Sequence, residues 1–139
     1  QVHPNMIVGV SDGGAHLQLI CDSAMTTFHL SFWSRDRKRG PKLPIEMMVN
    51  KLTGKPADLY GFADRGRIAV GKRADINVID FANIGNQQPE MFFDLPKGGG
   101  RLLQHGKGYL ATMVGGVLTR ENDAATGARP GRLVRGGSI

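Results

Sequence analysis

An acidic residue directly after a short apolar run is the strongest candidate for chemistry in this sequence. Asp12 follows the apolar run at residues 6–10 and opens an Asp-Gly-Gly turn. A carboxylate at the carboxyl end of a buried strand lies where β/α barrels build their active sites. There it can act as a general base toward a metal-bound water. Asp-Gly-Gly is also a common turn sequence, and taken alone the motif favours a turn over a site.

Three further side chains are candidates for substrate binding. His16 lies four residues beyond Asp12 and could share its site, although a loop histidine without a role is the alternative. Arg35 and Arg37 flank an aspartate after Trp33, and their planar guanidinium groups suit a substrate carboxylate. A solvated helix end with local ion pairs explains the same two arginines equally well.

The sequence contains no complete set of metal ligands at a recognisable spacing. His3, His29 and His105 form neither a His-x-His pair nor a His-Glu-x-x-His motif, so Asp12 is the only candidate for a metal contact. Cys21 is the single cysteine, and a buried structural thiol is favoured over a ligand or nucleophile. Without a possible intrachain disulfide, a reducing compartment and a cytoplasmic location are expected.

The candidate site must be positioned by a buried strand and two helices. The continuous apolar run at 6–10 predicts a strand buried on both faces. Helices are predicted over residues 24–35 and 43–52, with a loop before them and a turn at 56–60. The second helix is the clearer because its apolar residues recur at i, i+3, i+4 and i+7, which predicts core packing. These residues are Ile45, Met48, Val49 and Leu52.

The pattern changes from residue 66 onward, where short β-rich runs alternate with turn residues. This predicts a small antiparallel sheet or sandwich. The predicted strands are 68–70, 76–79, 109–114, 117–119 and 133–134, and residues 85–108 are predicted to be a long connection. We therefore predict a domain boundary near residue 62, which divides the chain into residues 1–62 and 63–139.

Composition bounds the class of protein. The 139 residues are 40% hydrophobic, enough for a folded core. The net charge of +6 is spread over three separate stretches that also carry acids, so no nucleic-acid partner is expected. No apolar run approaches the roughly 20 residues of a membrane span. The chain starts with Gln and has no signal-peptide pattern, so it is expected to begin inside a larger gene product.

These segments together resemble the metal-dependent amidohydrolase superfamily, and within it the D-aminoacylase branch of N-acyl-D-amino-acid deacylases. The pattern at residues 64–80 (DRGRIAVGKRADINVID) is typical of the superfamily, and the TGARPGRLVR ending at 126–135 narrows it to that branch. The other matching stretches, in the same order as in the family, are residues 3–4, 7–16 (IVGVSDGGAH), 52–60 (LTGKPADLY) and 115–117.

The resemblance implies an α/β fold plus β. Residues 1–62 would be the last strand and following helices of a (β/α)8 barrel, and residues 63–139 the C-terminal part of a small β-sandwich. Asp12 would take a proton from metal-bound water and pass it to the leaving nitrogen of a small N-acyl-D-amino acid. The parent protein would hold zinc through residues on earlier strands. A whole barrel takes about 250 residues, so this chain alone is expected to bind no zinc and to be inactive.

Two alternatives remain open at this point. The chain could be a non-catalytic domain that self-associates into homo-oligomers, which would bury the severed strand and the apolar face at Ile45, Met48, Val49 and Leu52. It could also belong to an amidohydrolase of another substrate class, such as the dihydropyrimidinases or deaminases. The Pro-Gly-Arg near residue 130 disfavours that second alternative.

Overall fold

Short helices occupy the first part of the chain and short strands the second. A computed structural model describes residues 1–9, 11–13 and 16–136. The helical part consists of a 3-10 turn Asp22–Ala24, helix α1 (Met25–Ser31), a π-helical turn Phe32–Asp36, helix α2 (Ile45–Leu52) and helix α3 (Gly54–Tyr60). The strands are β1 (Ile76–Ile79), β2 (Gly85–Asn86), β3 (Glu90–Leu95), β4 (Gly99–Leu103), β5 (Gly106–Lys107), β6 (Tyr109–Val114), β7 (Val117–Glu121) and β8 (Ala124–Ala125).

The two predicted helices are confirmed, and one predicted turn is a helix instead. The first helix ends in a π-turn, in which the Arg37 N–H donates to the Phe32 carbonyl oxygen at 2.8 Å. The predicted turn at 56–60 was wrong because it is part of α3. Pro56 is tolerated there because it lies in the first turn, where a missing N–H removes no helical hydrogen bond. Helix α3 ends at Gly61, whose left-handed φ of 68° suits glycine.

The strands form one larger sheet and two small hairpin pairs. The larger antiparallel sheet has the order β1-β6-β7-β8, and β2 pairs with β5 while β3 pairs with β4. The strands predicted at 76–79, 109–114 and 117–119 are confirmed. The prediction of a long connection at 85–108 was wrong, because strands β2 to β5 lie in that range. Two of these strands have only two residues, too few to show an alternating pattern.

Three other predicted strands are not strands among the described residues. Residues 6–9 pair with no described strand, and the N-terminal stretch is held instead by Lys51, whose Nζ donates to the Met6 carbonyl oxygen at 2.7 Å. A buried parallel strand needs a neighbour on each side, and no described part of this chain supplies one. The stretches at 68–70 and 133–134 are exposed loops, since Ile68 is 87% exposed and has no ladder partner.

The hydrophobic core lies between α1, α2 and the loop that precedes β2. Leu30, Leu43, Met48 and Ile84 are buried there. Trp33, Ile45, Met47, Leu52, Ile79 and Tyr109 pack against them. The core-packing interpretation of the α2 stripe is confirmed for Met48, Ile45 and Leu52, whereas Val49 is 39% exposed. The expectation that the whole face is left exposed holds only for Val49 among the described residues. The core draws on residues from both sides of residue 62, and the domain boundary there stays a prediction.

Candidate functional site

An open cleft of about 700 Å³ lies beside Asp12. Its walls come from the loop at 11–13, the start of the helical region, strand β2 and the link between β4 and β5. The lining residues are Ser11, Asp12, Asp22, Met25, Phe28, Asn86 and Gln104. The cleft therefore contains two carboxylates, two amides, one hydroxyl and two apolar side chains.

Asp12 is presented to the cleft by a tight turn. Its φ of 54° is left-handed, a conformation that aspartate tolerates better than most residues. The Ser11 hydroxyl oxygen accepts a hydrogen bond from the Gly13 N–H at 3.4 Å within the same turn. The turn that the sequence predicted is present and leaves the Asp12 side chain exposed at the cleft wall, while a catalytic role for Asp12 stays a prediction.

Another part of the cleft wall comes from the start of the helical region. Asp22 is the first residue of the 3-10 turn, and Met25 and Phe28 lie three residues apart on one face of α1. The Phe28 ring stacks on that of Phe32, with 4.9 Å between centroids and 10° between planes. Sequence reasoning did not assign Met25 or Phe28 to a site, because Thr26 and Thr27 interrupt the apolar pattern between them, and it considered Asp22 only together with Cys21 as a ligand or nucleophile.

Two amide side chains connect the strands to this helical wall. The Asn86 side-chain N–H donates to the Ala24 carbonyl oxygen at 3.2 Å and lies 3.5 Å from the Gln104 side-chain oxygen. Gln104 in turn donates to the Gln87 carbonyl oxygen at 3.0 Å. The Asn86 Oδ1 is buried and has no hydrogen-bond partner among the described residues. Asn86, which lines the cleft, is thus hydrogen-bonded to the 3-10 turn that carries Asp22.

His16 lies in a separate place from Asp12. Its carbonyl oxygen accepts hydrogen bonds from the N–H groups of Leu19 and Ile20 at 2.8 and 3.0 Å, which closes a local turn. The exposed His16 side chain lines a second depression of about 420 Å³ that it shares with residues 17–19. The structure therefore does not bring the two residues into one cleft, and the substrate role of His16 stays a prediction.

Arg35 is occupied by contacts within the chain. Its guanidinium donates to the carbonyl oxygens of Phe81, Ala82 and Ile84 at 2.7, 3.0 and 2.7 Å. It also donates to Asp36, and this hydrogen bond raises the pKa of Arg35 and lowers the pKa of Asp36. Arg35 does not line the Asp12 cleft. The geometry gives it a role in anchoring the loop before β2, and substrate binding stays a prediction.

Arg37 also has partners within its own segment. Its guanidinium carbon lies 4.7 Å from the centre of the Trp33 ring, in a cation–π contact. Its Nε donates to the carbonyl oxygen of Arg39. The two alternatives for Arg37 were substrate binding and a solvated helix end, and its local contacts are those expected at a helix end. Arg37 does not line the cleft either.

The described residues do not fit a complete zinc site. Zinc in proteins takes four ligands, or three with a water or substrate in the fourth position. In residues 1–9, 11–13 and 16–136, no three His, Cys, Asp or Glu side chains are grouped closely enough to hold a metal ion. The cleft offers only the carboxylates of Asp12 and Asp22. Cys21, the residue before Asp22, is a half-buried free thiol.

Two buried ionisable side chains lie behind the cleft, between α1 and α2. Burial lowers the pKa of His29, the charge of Lys51 acts in the same direction, and a hydrogen bond with the Met48 backbone opposes both. Burial also lowers the pKa of Lys51, with the charge of Lys55 as a second cause. The His29 Nε2 has no hydrogen-bond partner among the described residues. This pair is part of the packed interior and does not reach the cleft.

None of the helices within the described residues combines the length and apolar character needed to cross a bilayer.

Comparison with known proteins gives a family match over most of the chain. A family model described as "Amidohydrolase family" matches residues 7–119. An uncharacterized protein of Mycobacterium tuberculosis (strain ATCC 25618 / H37Rv) is 40% identical over 81 residues, which cover 55% of this chain and 13% of that protein. An N-acyl-D-glutamate deacylase of Alcaligenes xylosoxydans xylosoxydans is 33% identical over 93 residues, which cover 67% of this chain and 17% of the deacylase.

The matches cover only a small part of each relative. The chain spans less than one fifth of the length of the curated relatives that it matches. No solved structure matched the chain.

Proposed function

This chain belongs to the amidohydrolase family, and on that premise we propose that it is the C-terminal part of a hydrolase that cleaves the amide bond of N-acyl-D-amino acids. The 33% identity to a protein named N-acyl-D-glutamate deacylase supports a hydrolase of the amidohydrolase superfamily, and the name of that relative is the reason for proposing N-acyl-D-amino acids as substrates. The observation that carries the proposal is the family match over residues 7–119, which includes the exposed Asp12 carboxylate in an open cleft.

The catalytic metal of the proposed enzyme would be held outside this chain. The relatives are several times longer than the matched region, so most of the proposed enzyme lies elsewhere. The cleft residues do not fit a zinc site by themselves. We therefore propose that zinc is bound by other parts of the parent protein, and that this chain alone binds none and is inactive.

Within this chain, Asp12 has the central role in the proposed reaction. Its carboxylate accepts a proton from the attacking water as the new C–O bond forms. The C–N bond of the amide then breaks, and Asp12 returns the proton to the leaving nitrogen, so that a carboxylic acid and an amine are released. A left-handed turn that leaves the side chain exposed at the cleft supports this role.

The architecture and location of the parent protein are part of the same proposal. Residues 1–62 would complete a β/α barrel, and residues 63–139 would contribute to a small β-sandwich. The antiparallel sheet β1-β6-β7-β8 supports the second of these assignments. The parent protein would act in the cytoplasm, which suits a chain whose only cysteine is a free thiol.

An assay of the full-length parent protein tests the proposal. With zinc present, we expect hydrolysis of N-acetyl-D-amino acids, little hydrolysis of the L-isomers, and no turnover by this 139-residue chain alone. Asp12→Asn should lower kcat by at least about 100-fold, the usual contribution of a general base. Glu90→Gln, on the exposed strand β3, is the matched control and should keep full activity.

Two results would contradict the proposal. Full activity in Asp12→Asn would remove that residue from the reaction. Hydrolysis of cyclic amides or amine-bearing rings, with no action on N-acyl-D-amino acids, would move the parent protein to the dihydropyrimidinase- or deaminase-like class.

Exposed apolar side chains favour self-association as a second candidate function. Leu59, Ile68 and Val70 are 63%, 87% and 105% exposed. Large contiguous apolar patches mark surfaces that contact another protein, and Ile68 and Val70 lie two positions apart in one exposed loop. We propose that this chain, when isolated, forms homo-oligomers that cover these side chains.

A further inference from the structure

The charge of the cleft is opposite to that of the whole chain. The protein carries a formal net charge of +6. Among the described side chains that line the cleft, two are carboxylates and none is lysine, arginine or histidine. A negative group placed about 4 Å from either carboxylate is repelled by about 1 kcal/mol in water, and by more where water is excluded. The cleft is thus unsuited to an anionic part of a substrate.

Asp22 provides the carboxylate that the proposed reaction does not use. It is exposed, and it forms no ion pair with any described residue, so its charge is not neutralised within the described chain. Its backbone is held in place, because Asn86 donates a hydrogen bond to the Ala24 carbonyl oxygen at the other end of the same turn. Asp22 therefore adds a negative charge that no described residue pairs, on a backbone that is held in place, to the same cleft as Asp12.

The same cleft also has an apolar surface. Phe28 is 49% exposed even though its ring stacks on Phe32, and Met25 lies one turn earlier on the same face of α1. Apolar area in an otherwise polar cleft favours a ligand group that covers it, by about 25 cal/mol per Å². The side chain that best offers such area here is Phe28.

We propose that Phe28 and Asp22 determine specificity for the proposed reaction: Phe28 binds an uncharged apolar group next to the scissile amide, and Asp22 repels acidic side chains such as that of D-glutamate. The inference depends on the proposed function and names its substrate class. The apolar group is either the acyl chain or the amino-acid side chain. The free carboxylate of the substrate points away from this cleft.

Kinetic comparison of two substrate series in the zinc-loaded full-length parent protein tests the inference. One series keeps D-leucine and lengthens the acyl group from acetyl to hexanoyl. The other keeps the acetyl group and varies the side chain from leucine to glutamate. The variants are Phe28→Ala and Asp22→Asn. Phe93→Ala and Glu90→Gln, both on exposed β3, are the matched aromatic and carboxylate controls.

The expected changes are specific to each variant. Asp22→Asn should raise kcat/KM for N-acetyl-D-glutamate about tenfold relative to N-acetyl-D-leucine, which corresponds to about 1.4 kcal/mol. Phe28→Ala should lower kcat/KM about tenfold for the longest apolar member of one series. The series that loses activity identifies the bound group as acyl chain or side chain. Unchanged preferences in both variants would overturn the inference while leaving the proposed function intact.

A binding experiment separates this inference from the proposed reaction. If the parent protein hydrolyses no N-acyl-D-amino acid, the proposed function fails. The cleft can then be examined in this chain by NMR, with uncharged N-hexanoyl-D-leucinamide and with N-acetyl-D-glutamate as probes. Shifts at Met25 and Phe28 with the first probe alone would support the inference, and equal or stronger binding of the second would contradict it.

Discussion

At the residue scale, the two arginines that sequence reasoning paired have different surroundings. Arg35 donates to three backbone carbonyl oxygens of the loop at 81–84, whereas Arg37 lies over the Trp33 ring and contacts one nearby carbonyl. Arginine spacing indicated a charged cluster at this helix end. The spacing did not show that Arg35, and not Arg37, anchors the loop at 81–84, because that loop lies more than forty positions further along the chain.

We expect Arg35→Ala to be more destabilising than Arg37→Ala. Loss of Arg35 leaves three carbonyl groups without a charged donor and should lower the free energy of unfolding by about 2 kcal/mol. Loss of the Arg37 cation–π contact should cost less than about 1 kcal/mol. Urea denaturation monitored by circular dichroism measures both values. Equal losses would mean that the loop at 81–84 does not depend on Arg35.

His29 should make the stability of the chain sensitive to mild acid. Burial keeps the pKa of His29 below its ordinary value of 6.5, so the folded chain holds the neutral ring. Below about pH 6.5 the unfolded chain binds the proton more readily than the folded chain, and the free energy of unfolding falls with pH. The stabilisation is complete above pH 6.5 and is lost as the pH falls toward the lowered pKa.

Urea denaturation at several values between pH 7.5 and pH 5 tests this expectation. His29→Gln should reduce the pH dependence in this window, since glutamine does not titrate. His105→Gln, which replaces an exposed histidine, should keep it. The carboxylates whose pKa values are lowered by arginine, such as Asp58 and Asp94, contribute only at more acidic pH. A flat profile in the unaltered chain would contradict the expectation.

At the element scale, one glycine connects α3 to the loop that follows. Gly66 has a φ of 83°, and a Cβ there would lie 2.5 Å from the Ala57 side chain and 2.9 Å from the Thr53 carbonyl oxygen. Gly71 has the same φ but nothing within 4 Å of its would-be Cβ. The two positions thus share the backbone strain and differ only in crowding.

Gly66→Ala should therefore destabilise the chain more than Gly71→Ala. The left-handed backbone alone costs an alanine about 1–2 kcal/mol, which both variants incur. Crowding against α3 should add about 1–3 kcal/mol at residue 66. Thermal and urea denaturation of the two variants give the difference directly. Losses of equal size would show that the loop is not packed on α3.

At the scale of the whole molecule, some of the apolar side chains are buried and others are exposed to solvent. Most of the α2 stripe is covered, because Met48 is fully buried and only Val49 is 39% exposed, while Ile68 and Val70 in the loop after α3 are much more exposed. The surface ion pairs, such as Asp58–Arg67 and Asp94–Arg101, contribute little to stability because their charges are solvated. Association is therefore expected to depend on the exposed loop and not on the α2 face.

We expect the isolated chain to form oligomers that Ile68→Ser together with Val70→Ser converts to monomers. Light scattering coupled to size-exclusion chromatography measures the mass over a range of concentrations. Phe93→Ser, which also replaces an exposed apolar residue but lies on β3, is the control and should leave the mass unchanged. A monomeric mass for the unaltered chain at high concentration would contradict the proposed self-association.

Local patterns in the sequence were sufficient for several elements. Helix α2 and strands β1, β6 and β7 were predicted because the periodicity of their apolar residues is a local property. The family, supported by the match over residues 7–119, was likewise predicted from contiguous motifs. The turn at Asp12 was also predictable, since Asp-Gly-Gly favours a turn wherever it occurs.

Only the tertiary structure decided which side chains meet at the cleft. Asn86 and Gln104 lie more than fifty positions beyond Asp12, Asp22 and Phe28, and no local period relates any of these residues to Asp12. They are brought together by packing of α1 on the core and by the Asn86 hydrogen bond to the turn before α1. Such contacts depend on the free energy of the whole arrangement, whereas secondary-structure patterns depend on neighbours within a few residues. Sequence therefore determined helix α2, strands β1, β6 and β7, and the family, and tertiary packing determined the composition of the cleft.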